Sequence, residues 1–268
     1  MNDTPRHLGP GLVLAVIGAS GGSGASTLAA ACAVRCADAG WSVALVDGDL
    51  GGGGIDVVLG AEHVEGVRWP DLVGVRGRVD GAGLLSRMPR AGAVAFLSHC
   101  RESSLRVGGD AVRGALVGLA DAVEVLVLDV PRSWTLPATG LQEPAEPGDS
   151  AESADPGDPA DALLVDLAIV VSGCGITELA GLAAAAPRVA ARVPETHVVL
   201  RGRRVSRAVV ADVERALDLP VLGVLDDDPS NARDVARGIP PGRSRGALAE
   251  VANAVVAALG VTGNRAAS

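Results

Sequence analysis

Short apolar, β-branched runs recur along the chain, and between them lie stretches in which apolar residues return at helical spacing. The runs Leu12–Ile17, Ser42–Val46, Val94–Ser98, Glu124–Leu128, Leu167–Val171, His197–Leu200 and Val221–Leu225 predict strands. Helices are predicted from Leu28 to Ala39 and at about 108–121, 176–192, 207–217, 229–238 and 246–259. Strands that are apolar throughout are buried on both faces, and their alternation with helices predicts an α/β fold. The expected architecture is a single doubly wound, mostly parallel β-sheet flanked by helices.

Residues 1–10 and 261–268 are expected to be tails around one domain of residues 11–260. One segment breaks the rhythm: 137–161 is rich in Pro, Gly, Asp and Glu and offers little to bury. It reads either as a solvated acidic insertion or as a partner-docking segment. It follows the strand ending at Asp129, so it is expected on the ligand-binding side of such a sheet.

Composition narrows the classes. The chain has 268 residues, 48% of them hydrophobic but only 1% aromatic, so Val, Leu, Ile and Ala must fill the core. A formal charge of −9 argues against general nucleic-acid binding, which needs a basic face. No apolar stretch approaches the ~20 residues of a membrane span, and no signal peptide is expected before the first strand. Cys32, Cys36, Cys100 and Cys174 form neither metal-type pairs nor a disulfide framework, and His7, His63, His99 and His197 have no metal-like spacing. The expectation is a cytoplasmic protein with reduced thiols.

The candidate chemistry begins after the first strand. The run Gly18-Ala19-Ser20-Gly21-Gly22-Ser23-Gly24-Ala25-Ser26-Thr27 joins that strand to a helix. A strand, a glycine-rich turn and a helix opening with Ser-Thr present backbone N–H groups and a helix N-terminus to phosphate. Gly21, Gly22, Ser23, Gly24, Ala25, Ser26 and Thr27 are the candidate phosphate-binding residues. Asp47 and Asp49 end the second strand and Asp129 ends the fourth. Carboxylates placed there can hold Mg²⁺ and orient a water. Ser26, Asp47 and Asp129 are the candidate magnesium residues, and Asp49 is the candidate catalytic residue should hydrolysis occur.

These motifs resemble the MinD/ParA family of deviant-Walker ATPases. The family's Lys-Gly-Gly-x-Gly-Lys-Thr-Thr falls on Ser20 to Thr27. Asp47-Gly48-Asp49 matches its Asp-x-Asp, and Ile55 to Gly60 resembles the segment that follows. Leu128-Asp129-Val130-Pro131 matches its later magnesium-site strand. Gly223-Val224-Leu225 through Gly238-Ile239-Pro240 resembles the segment near the adenine. Gly24 to Ala30, Val67 to Leu72 and Asp129-Val130-Pro131-Arg132 are similar to an actinobacterial CpaE/TadZ-like branch, whose members are also called septum-site-determining proteins. That resemblance implies a spatial regulator of pilus or secretion-system assembly, or of septum placement. Its implied partners are secretion, pilus-assembly or division proteins, with a homodimer left open and membrane association only through partners. It also implies recruitment to the pole, the septum or the inner face of the membrane. ATP and Mg²⁺ are the implied, weakly held cofactors.

The departures concern charge. The chain contains no lysine: all 23 basic residues are arginine. Ala25 stands where the family has its loop lysine, Ser20 where it has its signature lysine, and Ala19 replaces the first loop glycine. A charge-assisted hydrogen bond is worth roughly 1.5–3 kcal/mol, so losing the loop lysine weakens binding about 10- to 150-fold. Cleavage suffers more, because positive charge on a transferring phosphoryl is worth roughly 10³–10⁵ in rate. Arg132 is a candidate phosphate or partner contact. Arg201, Arg203, Arg204 and Arg207 form a basic patch, read either as a contact for an acidic partner, phosphate or lipid headgroup, or as a solvated loop and helix start. The expectation is weak or absent hydrolysis on a retained cradle; the alternative is a slow MinD-like ATPase cycling between monomer and ATP-bound dimer.

Overall fold

The computed structural model describes residues 11–49, 54–99, 107–131 and 163–266. The acidic insertion 137–161, Arg132, the residues 1–10 and most of the glycine run after Asp49 lie outside the described residues. Eight strands form one sheet: β1 (Leu12–Gly18), β2 (Val43–Asp47), β3 (Arg90–Ala91), β4 (Val94–Leu97), β5 (Val125–Val130), β6 (Leu167–Gly173), β7 (Thr196–Arg201) and β8 (Val221–Leu225). Their order is β3-β4-β2-β5-β1-β6-β7-β8, parallel throughout except where β3 pairs antiparallel with β4. The helices are α1 (Ala25–Asp38), α2 (Ile55–Val58), α3 (Gly81–Arg87), α4 (Gly109–Ala122), α5 (Ile176–Ala190), α6 (Arg207–Leu217), α7 (Pro229–Val235) and α8 (Ala247–Ala266).

The two-residue period of the central strands divides the core. Leu14 and Val16 of β1 and Val125 and Val127 of β5 face a layer containing α1 and α8. Val13, Ala15, Ile17, Leu126, Leu128 and Val130 face the layer of α3 and α4. Side chains alternate across a pleated strand, so a strand covered on both faces must be apolar at every position. Cys32 and Cys36 are packed in the α1 interface, where burial pushes the Cys32 thiol well above its usual range and that of Cys36 up to about 12. Burial among apolar neighbours thus disfavours the thiolate at both positions.

The strands follow the apolar pattern closely. The closing helix does not: α8 runs to Ala266, through positions expected to be a tail. Gly260 and Gly263 lie where the helix comes close to Trp41 and Leu12. Tertiary packing outweighs glycine's low propensity there. Several short elements had no expectation, α2 and the 3₁₀ turn Trp69–Leu72 among them, and two others show why. The first, α3, carries two glycines but is capped by Asp80, whose carboxylate accepts from the Gly83 N–H at 3.1 Å. At Gly81 it passes so near the Gly118 carbonyl of α4 that a Cβ there would sit 1.7 Å from the oxygen. The second, β3, is only two residues long, too short for any period to show.

Trp69 opens the 3₁₀ turn Trp69–Leu72, is fully buried, and donates its indole N–H to the Asp47 carbonyl at 2.7 Å. It thereby braces the end of β2 from below. Trp69→Phe keeps most of the packing but strands that carbonyl. A loss of roughly 1–3 kcal/mol of stability is expected, read as a lower denaturation midpoint with unchanged slope.

Candidate functional site

The C-terminal ends of the parallel strands converge on the turn between β1 and α1. Gly22 and Gly24 adopt left-handed backbone at φ +74° and +92°, which a side chain would strain. Gly24 is the N-cap of α1, so the helix begins at Ala25 with its first N–H groups directed to the turn. The loop is held from beneath: the Ala19 N–H donates to the Val171 carbonyl at 2.8 Å, and Gly181 of α5 lets that helix approach the Ala19 carbonyl. A cleft of about 620 Å³ opens above it, lined by Gly18, Ser20 to Thr27, Asp49, Asp129, Val130, Pro131 and Arg201. All seven candidate phosphate-binding residues therefore lie in one cleft wall. Ser20 places its hydroxyl oxygen in a buried position with no hydrogen-bond partner among the described residues.

The carboxylates divide into two roles. Asp47 and Asp129 are neighbours across the β2–β5 pairing. Asp47 is 2% exposed and does not line the cleft. Its Oδ1 accepts from the Asp49 N–H at 2.9 Å and its Oδ2 from the Ile55 N–H at 2.8 Å, which ties the end of β2 to the start of α2. Asp129 and Asp49 line the cleft itself. The Ser26 side chain lies close enough to Asp129 to oppose the rise of its carboxyl. The structure thus brings Ser26, Asp129 and Asp49 to the loop and sets Asp47 beneath them, tied to Asp49 and Ile55.

Burial sets the electrostatics. Desolvation, with repulsion from Asp129 next, raises the Asp47 carboxyl to about 7, against the two backbone N–H groups that lower it. Desolvation also raises Asp129 to about 6, while the nearby Ser26 side chain acts in the opposite direction. Two buried carboxylates side by side repel each other, a repulsion that a bound divalent ion would relieve. Among the described residues no three His, Cys, Asp or Glu side chains form a metal cage. Mg²⁺ does not require one, since it takes one or two protein oxygens and completes its shell with water and phosphate. The donor set of Ser26 and Asp129, with Asp49 nearby, fits that pattern.

Sequence reasoning did not single out one residue of this cleft. Arg201, at the end of β7, donates from Nη1 to the Gly22 carbonyl at 2.8 Å and from Nε to Asp227 Oδ1 at 2.8 Å. It was read only as part of a basic patch, because its contact with Gly22 spans 179 positions of chain. The available signal was its place at a strand's C-terminal end, where α/β sheets bind ligands. Arg203 and Arg204 are exposed beyond it and line a neighbouring cleft of about 520 Å³. Another cleft, of about 360 Å³, shares Gly24, Thr27 and Arg201 with the loop and is walled by Val57, Val58, Leu225 and Val235.

No protein-family model matches the chain. It is 34% identical over 251 residues to an uncharacterized protein of Mycobacterium tuberculosis, found in two strains, and covers 93% of its own length and 64% of theirs. The chain thus spans about two thirds of the length of these curated relatives, just under that share at 64%. Among solved structures it is similar to a ParA family ATPase of Chlorobium tepidum, with TM-score 0.70, 15% identity, and coverage of 92% of this chain and 98% of that one. The septum site-determining protein MinD of Pyrococcus horikoshii, complexed with Mg-ADP, gives 0.62 at 19% identity, with 94% and 98% covered. A chain of the MinC:MinD cell division protein complex of Aquifex aeolicus gives 0.64 at 16% identity, with 92% and 96% covered. The parallel sheet, its flanking helices and the loop between β1 and α1 are those of a P-loop NTPase fold of the MinD/ParA type.

Proposed function

We propose that the chain belongs to the MinD/ParA family and acts as a nucleotide-responsive spatial regulator that retains a phosphate cradle but cleaves ATP weakly or not at all. The observation that carries this reading is the intact loop geometry with Ala25, not a lysine, at the start of α1. Backbone N–H groups and the helix dipole remain for a polyphosphate, and Ser26 with Asp129 would hold its Mg²⁺. That ion would neutralise phosphate charge and the repulsion between the buried carboxylates. The apolar cleft beside Thr27, with Val57, Val58 and Leu225, suits a nucleobase. The CpaE/TadZ-like resemblance points to pilus or secretion-system assembly or septum placement, reached through protein partners. No described helix is long and apolar enough to cross a membrane.

A slow ATPase cycle is the second reading, favoured by Asp49 standing in the cleft wall. Calorimetric titration with Mg·ATP should show binding in the micromolar to millimolar range that weakens when Mg²⁺ is chelated. Absence of heat at millimolar nucleotide would reject the proposal. Turnover abolished by Asp49→Ala would favour the second reading.

A further inference from the structure

A loop built for polyphosphate needs positive charge near it, and this chain has no lysine to supply it. Among the described residues lining the loop cleft, the cationic side chain is Arg201. It comes from β7, two strands away from β1 in the sheet, and is brought to the loop because both end on the same edge. Gly24 makes the approach possible: a Cβ there would meet Arg201 Nη1 at 3.3 Å and Cδ at 3.6 Å. The lack of a side chain at Gly24 thus serves the turn and the arginine together.

The guanidinium is held rather than loose. Its Nε–H is committed to Asp227 and one Nη1–H to the Gly22 carbonyl. A guanidinium carries five N–H donors in a rigid fork, so both donors of Nη2 remain uncommitted among the described contacts. The side chain is 39% exposed, open to an incoming ligand. It also lines both neighbouring clefts, the apolar one beside Thr27 and the one beside Cys174 and Glu178. Arg201 thus stands where the loop cleft and the apolar cleft meet.

We propose that Arg201, anchored by Asp227, is the cation of this site: it takes over the charge neutralisation of a nucleoside di- or triphosphate that a loop lysine would otherwise provide. The inference rests on the nucleotide-binding reading above. A forked cation suits phosphate oxygens, and Arg201 approaches from the nucleoside side of the loop, not from within it. It can thus support binding without occupying the position at which a loop lysine follows the transferring phosphoryl, which fits a protein that holds nucleotide more readily than it cleaves it.

The test is calorimetric titration of the full chain with Mg·ADP and, separately, with inorganic pyrophosphate at two salt concentrations. Arg201→Gln removes the charge while keeping a polar side chain, and Arg201→Ala removes both. Each should weaken both ligands at least about 10-fold and flatten the dependence of Kd on salt, with the melting temperature of the ligand-free protein changed little. Arg201→Lys should recover part of the affinity. Unchanged or tighter binding by Arg201→Gln overturns the inference and leaves the nucleotide reading standing. Failure of the unsubstituted protein to bind either ligand overturns both.

Discussion

Ala25→Lys should raise the affinity for Mg·ATP about 10- to 150-fold and speed phosphate release by on the order of 10²–10³. Ala25 is the first residue of α1 and lines the cleft, so a lysine there projects into the space above the loop. The backbone cradle needs no remodelling, because Gly22 and Gly24 already hold the left-handed conformations of the turn. Cationic charge placed against developing phosphoryl charge in a preorganised site acts on the transition state more than on the ground state. The rate should therefore gain more than the affinity does. Equilibrium titration for Kd and single-turnover phosphate release for rate separate the two. A gain in affinity with no gain in rate would show that more than the lysine has been lost.

Asp129→Asn should stabilise the ligand-free protein at pH 8 by a few kcal/mol while weakening its Mg²⁺-dependent nucleotide binding 10-fold or more. The sign follows from linkage. Folding raises the Asp47 and Asp129 carboxyls from 3.8 to about 7 and about 6. The folded state thus binds more protons than the unfolded one between those limits, and stability falls as pH rises through the window. Their favourable contribution is complete below the unfolded value of 3.8 and gone above about 7. Replacing Asp129 removes one buried charge and its push on Asp47, so the substituted protein should lose less stability between pH 5 and pH 8. The two proteins should converge only as pH falls to about 3.8 and below, where the carboxyls of the unfolded chain hold protons as well. Denaturant melts across that range read the difference. A substitution that destabilises equally at every pH would mean that the carboxylate pair is compensated in the apo protein.

The legible parts of this molecule are those whose cause is local. The loop from Gly18 to Thr27 announces itself because strand, glycines and helix start are contiguous, and Asp129 because it interrupts an apolar run at its end. The sheet was legible because buried parallel strands leave an unbroken apolar signature. Asp47 was found for the right neighbourhood, but its two backbone hydrogen bonds, to Asp49 and Ile55, place it under the site and not in its wall. The helix α3 and the last turns of α8 were illegible because glycines there serve close packing against Gly118 and Leu12, a tertiary reason that local propensity opposes. Arg201 was hidden for the same kind of reason: only the sheet order brings the end of β7 to the loop.

The central claim is that the cradle persists while the charge that drives cleavage is gone. Single-turnover phosphate release from Mg·ATP by the unsubstituted protein, at enzyme in excess over nucleotide, addresses it most directly. Release slower than about 10⁻⁴ s⁻¹, the range of a phosphate loop lacking added positive charge, is the predicted result. Release on the order of 10⁻² s⁻¹ or faster, lost in Asp49→Ala, would contradict it.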